Sequence, residues 1–177
     1  MAKRISTKKI FQKGRFLLRD VNIKLKDGKK VTFQFWDKAD SAIIVPVLDN
    51  GDVIFIREYQ AAFDSQMLSL PKGRVEKNED PIEVASKELQ EEIGYKANSL
   101  EKIVEVTINP GYISGKTHIY LARNLVENRL QGDEVWEITI TKYPLKNFEE
   151  LIDKGELTEA RIITALYEAR RFLKNST

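Results

Sequence analysis

Residues 73–95 read GRVEKNEDPIEVASKELQEEIGY, from Gly73 to Tyr95, and within them Glu88, Glu91 and Glu92 stand at i, i+3 and i+4, closed by Gly94. On a helix this spacing gathers three carboxylates onto one face at the C-terminal end. Alone the arrangement is unfavourable. Like charges three or four residues apart repel by about 0.2–0.5 kcal/mol each, and acids in the last turn face the negative end of the macrodipole. A hard divalent cation, Mg²⁺ or Mn²⁺, converts this repulsion into coordination, because such ions take carboxylate oxygens while keeping several waters. The triplet therefore reads as a metal site with Glu88, Glu91 and Glu92 as ligands.

The helix follows from local signals. Asp80 suits the N-cap, Pro81 the first helical position, and Glu83 completes a capping-box pattern. Gly94 supplies a left-handed stop. Ile82, Ala85, Leu89 and Ile93 repeat at helical spacing and are expected to face the core, while the three glutamates look elsewhere. The stretch from Gly73 to Glu79 is then a loop packed against the helix, able to offer a backbone carbonyl to the same ion. An ordinary alternative is a solvated acidic face compensated by Lys87 and Lys96. Lys87 follows Glu83 in the favourable i, i+4 order but precedes Glu91, the poorer order. The fixed spacings on both sides of the helix favour the metal site.

Working outward, Val21, Ile23 and Leu25 alternate with polar residues, Asp27-Gly28 signals a turn, and Val31, Phe33 and Phe35 alternate again, which reads as a β-hairpin. Ala42 to Leu48 is a buried-strand candidate, Asn50-Gly51 a turn, and Val53 to Ile56 a strand leading into Arg57-Glu58. Beyond the helix, Ile103 to Ile108 and Lys116 to Ala122 read as strands around the turn Asn109-Pro110-Gly111. Asn147 and Glu150 form a capping-box pattern before a short helix stopped by Gly155, and a last helix from about Thr158 places Ile162, Leu166, Ala169 and Leu173 on one face. Strands, a central helix and closing helices imply a layered sheet-and-helix domain.

A length of 177 residues suits one well-buried domain. The formal charge of +2 makes no broad electrostatic case for nucleic-acid binding. The absence of cysteine removes disulfides, thiol nucleophiles and zinc–cysteine sites, and fits a reducing, cytoplasmic compartment. No apolar run approaches the roughly eighteen residues of a membrane span. The first nineteen residues hold seven basic residues and no acid. They lack the continuous apolar core of a secretory signal and read as a frayed, solvated terminus, with an RNA-contacting arm as the sharper alternative.

The spacing of Gly73, Glu79 and the run Lys87-Glu88-Leu89-Gln90-Glu91-Glu92-Ile93-Gly94-Tyr95 resembles the Nudix box. Lys87 stands where that family has arginine, and Tyr95 where it usually has an aliphatic residue. The resemblance implies an α/β/α sandwich with a mixed sheet, the N-terminal β-hairpin forming an extension over 1–40 and the Nudix domain spanning 41–177. It implies metal-dependent hydrolysis of a nucleoside diphosphate linked to another group, with two to three Mg²⁺ or Mn²⁺ ions, the carbonyl of Lys72 as a further ligand, Lys87 orienting a glutamate, and Glu134 or Glu91 as the water-activating base.

The run from Ile43 through Glu58, Pro110 sixteen residues after Gly94, and Glu159-Ala160-Arg161 together resemble the branch that splits ADP-ribose and related ADP compounds. By that resemblance Pro110, Gly111, Tyr112 and Ser114 lie beside the substrate, Trp36 stacks on an adenine across a homodimer interface, and AMP is released. From the residues alone, Arg57 can bind phosphate oxygens bidentately and Glu58 can reach a metal or an amine, or the two can make surface ion pairs. Pro110-Gly111 can be only a turn, and Trp36 only core. His118, the single histidine, lacks partners for a triad or a histidine metal site and reads as structural. The expected partner is a small nucleotide, with no membrane and with nucleic acid disfavoured. Two alternatives are an RNA-end pyrophosphohydrolase and a Nudix domain that senses a nucleotide without cleaving it.

Overall fold

Apolar runs without period-2 alternation become strands covered on both faces. In the computed structural model, which describes residues 2–132 and 135–175, the chain divides into two units: residues 1–40 with 107–116, and residues 41–106 with 117–177. The larger unit holds β4 (Asp40–Pro46), β5 (Asp52–Gln60), β6 (Ser65–Ser69), β7 (Lys72–Val75), α1 (Pro81–Glu92), β8 (Tyr95–Thr107), β9 (Lys116–Glu127), β10 (Thr139–Pro144), α2 (Glu149–Asp153) and α3 (Ala160–Asn175). One sheet runs β7-β4-β9-β8 with β4 and β9 parallel; the other runs β10-β5-β6, all antiparallel.

Strand alternation sorts the core into two layers. Ile43, Val45, Val53, Phe55, Ile119 and Leu121 join Phe148, Leu151, Ile162, Ala165, Leu166 and Ala169 of the α2–α3 side. Their sequence neighbours Ala42, Ile44, Ile54, Ile56, Tyr120 and Ala122 pack instead with Val84, Ala85, Leu89 and Ile93 of α1. Helices thus cover both faces of the sheet layer, the expected α/β/α sandwich. Among the described residues no helix is long and apolar enough to cross a membrane.

Local expectations meet four corrections here. Ile82 is 37% exposed, and Val84 fills the core position instead, because the first turn of α1 lies at the rim where burial is one-sided. The stretch from Gly73 does not stay a loop: Lys72–Val75 pairs at the sheet edge as β7, and only residues 76–80 turn. Asn147 lies in a 3₁₀ turn (Leu145–Asn147) and makes no capping box. Glu150 instead accepts a hydrogen bond from the Tyr143 hydroxyl at 2.7 Å, since a turn that enters α2 already helical leaves no N-cap to fill. Finally, α3 starts at Ala160 rather than Thr158, with Ile162, Leu166 and Ala169 buried as expected.

In the smaller unit residues 3–19 are not a frayed end. β1 (Lys3–Lys13), β2 (Phe16–Lys24) and β3 (Lys30–Trp36) form a three-stranded antiparallel meander, so the expected two-stranded hairpin gains a third strand. Gly14, at φ 55°, makes the tight turn between Lys13 and Phe16. Two register shifts in β1, between Arg4 and Ser6 and between Lys9 and Phe11, break the alternation that a sequence reading needs. Trp36 ends β3, its amide donating to the Tyr112 carbonyl at 2.7 Å.

Candidate active site

α1 forms as its ends dictate. Asp80 Oδ1 accepts from the Ile82 amide at 3.1 Å, Pro81 opens the first turn, and Gly94 at φ 78° ends the helix. Packing Leu89 and Ile93 inward rolls Glu92 toward the sheet, where it is only 5% exposed. Its Oε2 accepts a hydrogen bond from the Lys72 backbone amide at 3.0 Å. Thus β7 meets the glutamate through its N–H.

Glu88 lies one turn earlier, pressed against the backbone of Gly73: a β-carbon there would come under 3.0 Å from Glu88 Cγ, Cδ and Oε1. Any larger residue at the first glycine of the box would therefore displace the Glu88 side chain. The side chain of Glu91 is 10% exposed and pairs with Lys87 Nζ at 3.3 Å, so Lys87 reaches Glu91 even in the less favourable i, i+4 order. Glu79 turns to its own loop, its Oε2 accepting from the Glu76 amide at 2.7 Å.

Lys72 carries its charge to the other sheet, where Nζ pairs with Glu58 of β5 and donates to Ser69 Oγ of β6 at 3.0 Å. Arg57, pointing to the opposite side of β5, pairs with Glu156 at 2.7 Å, the ion-pair alternative. One face of α1 and the β7 edge thus gather Glu88, Glu91, Glu92, Lys72, Lys87 and, through Lys72, Glu58. Among the described residues no three acidic or histidine groups already converge as tightly as a formed cation site requires. The donor set nevertheless fits a hard cation: two largely buried carboxylates and a third held against backbone, all oxygen donors, with ammonium groups offsetting the charge of Glu91 and Glu58.

The other expected contacts lie in the smaller unit. Pro110 and Gly111 line a cavity of about 540 Å³ with Arg4, Arg19, Phe33 and Phe35. Tyr112 and Trp36 are 55% and 43% exposed, so Trp36 is no core residue. Ser114 Oγ interacts with Asp37 Oδ1 at 3.2 Å. Glu134 lies outside the described residues. His118 is buried on β9, with Nδ1 3.3 Å from Glu105. Sequence reading did not find the Lys72 amide, the Lys72–Glu58 pair or the need for Gly73 against Glu88. Each joins positions distant in the chain and leaves no local pattern.

The NUDIX domain model matches residues 37–166, and the chain belongs to the Nudix hydrolase family. The chain is 30% identical over 161 residues to the ADP compounds hydrolase NudE of Escherichia coli (strain K12), covering 90% of this chain and 86% of that protein. It is 26% identical to the ADP-ribose pyrophosphatase of Bacillus subtilis (strain 168), covering 93% and 90% of the two chains. A crystal structure of an ADP compounds hydrolase superposes with a TM-score of 0.88 at 28% identity, covering 99% of this chain and 95% of that one.

Proposed function

We propose that this Nudix hydrolase cleaves the diphosphate of ADP-linked compounds, ADP-ribose and dinucleotides such as NADH or diadenosine polyphosphates, and releases AMP. The observation that carries the reading is the box helix itself, with Glu92 buried on the Lys72 amide and Glu88 held against Gly73. The names of the relatives support the ADP half of the substrate. Nudix hydrolases need a divalent cation; Glu88, Glu91 and Glu92 with the Lys72 carbonyl would hold two to three Mg²⁺ or Mn²⁺ ions here. Bound there, the cation supplies charge neutralisation at the phosphoryl oxygens and acidifies the attacking water.

The chain's own residues do the rest. Lys87, 3.3 Å from Glu91, holds that carboxylate in place with one point charge where a guanidinium would use a planar fork. Glu91 or Glu134 takes the proton of the attacking water. Glu58 and Arg57 are substrate-side candidates on β5, and Trp36, Pro110, Gly111 and Tyr112 form a second set of substrate contacts in the N-terminal unit. A homodimer, in which the Val21 to Phe35 face meets a second copy, would bury the half-exposed Phe33, and residues 41–177 would act as the catalytic domain. A cysteine-free chain suits the cytoplasm.

One assay panel tests the reading: ADP-ribose, NADH, diadenosine polyphosphates and nucleotide sugars, each with Mg²⁺ and with Mn²⁺, the products separated by chromatography. AMP from the ADP-linked members is expected, because cleavage within a diphosphate leaves one phosphate on each half. Free ADP or adenine alone would refute it.

A further inference from the structure

The near-neutral total charge conceals a segregation. Residues 1–36 carry eleven Lys and Arg against Asp20 and Asp27, a charge of +9; with +2 overall, the other 141 residues carry −7. The basic segment is the β1–β3 sheet, and strand pairing divides its side chains between two faces, since residues directly opposite each other share a face. One face carries Arg4, Thr7 and Lys9 over Ile23, Val21 and Arg19, then Val31, Phe33 and Phe35, and contributes to the 540 Å³ cavity.

The opposite face is built differently. Its rows across the strands are Lys3–Lys24–Lys30, Ser6–Asn22–Thr32, Lys8–Asp20–Gln34 and Phe11–Leu18–Trp36, closed by the pair Lys13–Phe16. The two register shifts in β1 are what bring Lys3, Ser6, Lys8, Phe11 and Lys13 to one side. Five lysines, all exposed, meet only one carboxylate, and that one accepts from Gln34 Nε2 at 2.8 Å. At one end Phe11, Phe16 and Trp36 are 53%, 57% and 43% exposed, with the rings of Phe16 and Trp36 5.3 Å apart. Between the Lys3–Lys24–Lys30 and Lys8–Asp20–Gln34 rows runs a polar row, Asn22 Nδ2 donating to Ser6 Oγ and Thr32 Oγ1 donating to Asn22 Oδ1.

Edge lysines commonly guard a strand against pairing, which accounts for those on β1. It accounts equally for Lys30 on the other edge strand, β3, but for neither Lys24 on the central strand β2 nor an open aromatic cluster on the same face. We propose that this face binds single-stranded nucleic acid. The lysines follow the phosphates, the polar row meets sugar and base edges, and Phe11, Phe16 and Trp36 stack bases, a combination that single-strand binders use without sequence preference. Charge complementarity selects this polyanionic occupant over the matching face of a second copy, which is equally positive.

The test uses a 3′-labelled ribouridylate dodecamer with a 5′-hydroxyl. It contains neither a diphosphate nor an adenine, so the result is independent of the proposed hydrolysis and of the adenine contact proposed for Trp36. Fluorescence anisotropy across about 50–200 mM KCl is expected to give micromolar affinity with a log–log salt slope near −3.5, about 0.7 for each of five lysines. In a Trp136→Phe chain, Trp36 emission falls on binding. Lys8→Gln/Lys13→Gln/Lys30→Gln lowers the slope by about 2. Phe11→Ala and the better-filling Phe11→Leu each weaken binding about fivefold or more at unchanged slope, with circular dichroism and ADP-ribose hydrolysis as in the parent. The proposal is overturned by no binding at low salt, by unaltered Trp36 emission, by affinity indifferent to Phe11 with inorganic polyphosphate competing equally, or by a self-association that closes this face to the oligonucleotide.

Discussion

Replacing Gly73 by alanine tests the catalytic reading at its tightest contact. The new β-carbon falls under 3.0 Å from three atoms of the Glu88 side chain, so that side chain must swing away. Relief takes a displacement of roughly 1 Å or more, and a misplacement of that size costs about 100-fold in turnover when the displaced group belongs to the reacting assembly. Stability suffers less. Moving one glutamate off its rotamer costs about 0.5–1.5 kcal/mol, a fall in Tm of about 1–6 °C for a domain of this size. The assay is ADP-ribose hydrolysis in saturating Mg²⁺, beside thermal unfolding of the same preparation. Because the effect runs through Glu88, Gly73→Ala in a Glu88→Gln background should add almost nothing further, the non-additivity expected of residues sharing one interaction. Turnover near that of the parent in folded Gly73→Ala, or fully additive losses in the double variant, would refute the argument.

Glu92→Gln should lower kcat/KM about 100-fold or more, since removing one anionic donor forfeits several kcal/mol of charge stabilisation; near-parental turnover in saturating Mg²⁺, with the fold confirmed by circular dichroism, would remove Glu92 from the site. Trp36→Ala should raise KM more than it lowers kcat, as loss of uniform binding does, and light scattering should show a dimer at micromolar concentration; a fully active monomer would exclude the shared pocket. Arg170 donates twice to Glu149, at 2.7 and 2.6 Å, and lies over the Phe148 ring at 4.9 Å. Its guanidinium holds the Glu149 carboxyl below its usual range. A lowered folded pKa contributes stability above the unfolded pKa of about 4.3, lost as pH falls through the folded value. The Tm gap between the parent and Arg170→Lys should therefore be flat at neutral pH and narrow below about pH 4; a gap unchanged down to pH 2 would assign it to ring stacking alone.

The sequence by itself determined α1, its Asp80 cap, its Gly94 stop and the spacing of Glu88, Glu91 and Glu92, because these obey rules that reach no further than four residues along a helix. It also marked β4, β5 and β9 as apolar runs, since burial on both faces erases alternation. β1 stayed illegible: its eleven residues are all exposed, and two register shifts scramble its period. Tertiary structure alone decided that Glu92 meets the Lys72 amide twenty residues away, that Glu88 needs the bare backbone of Gly73, and that the Lys72 ammonium turns to Glu58. It also decided that a chain of nearly balanced charge collects its excess of lysine on one open sheet face. Each of these joins groups through space across segments that carry no information about one another, and only the packing of sheet against helix brings them within reach.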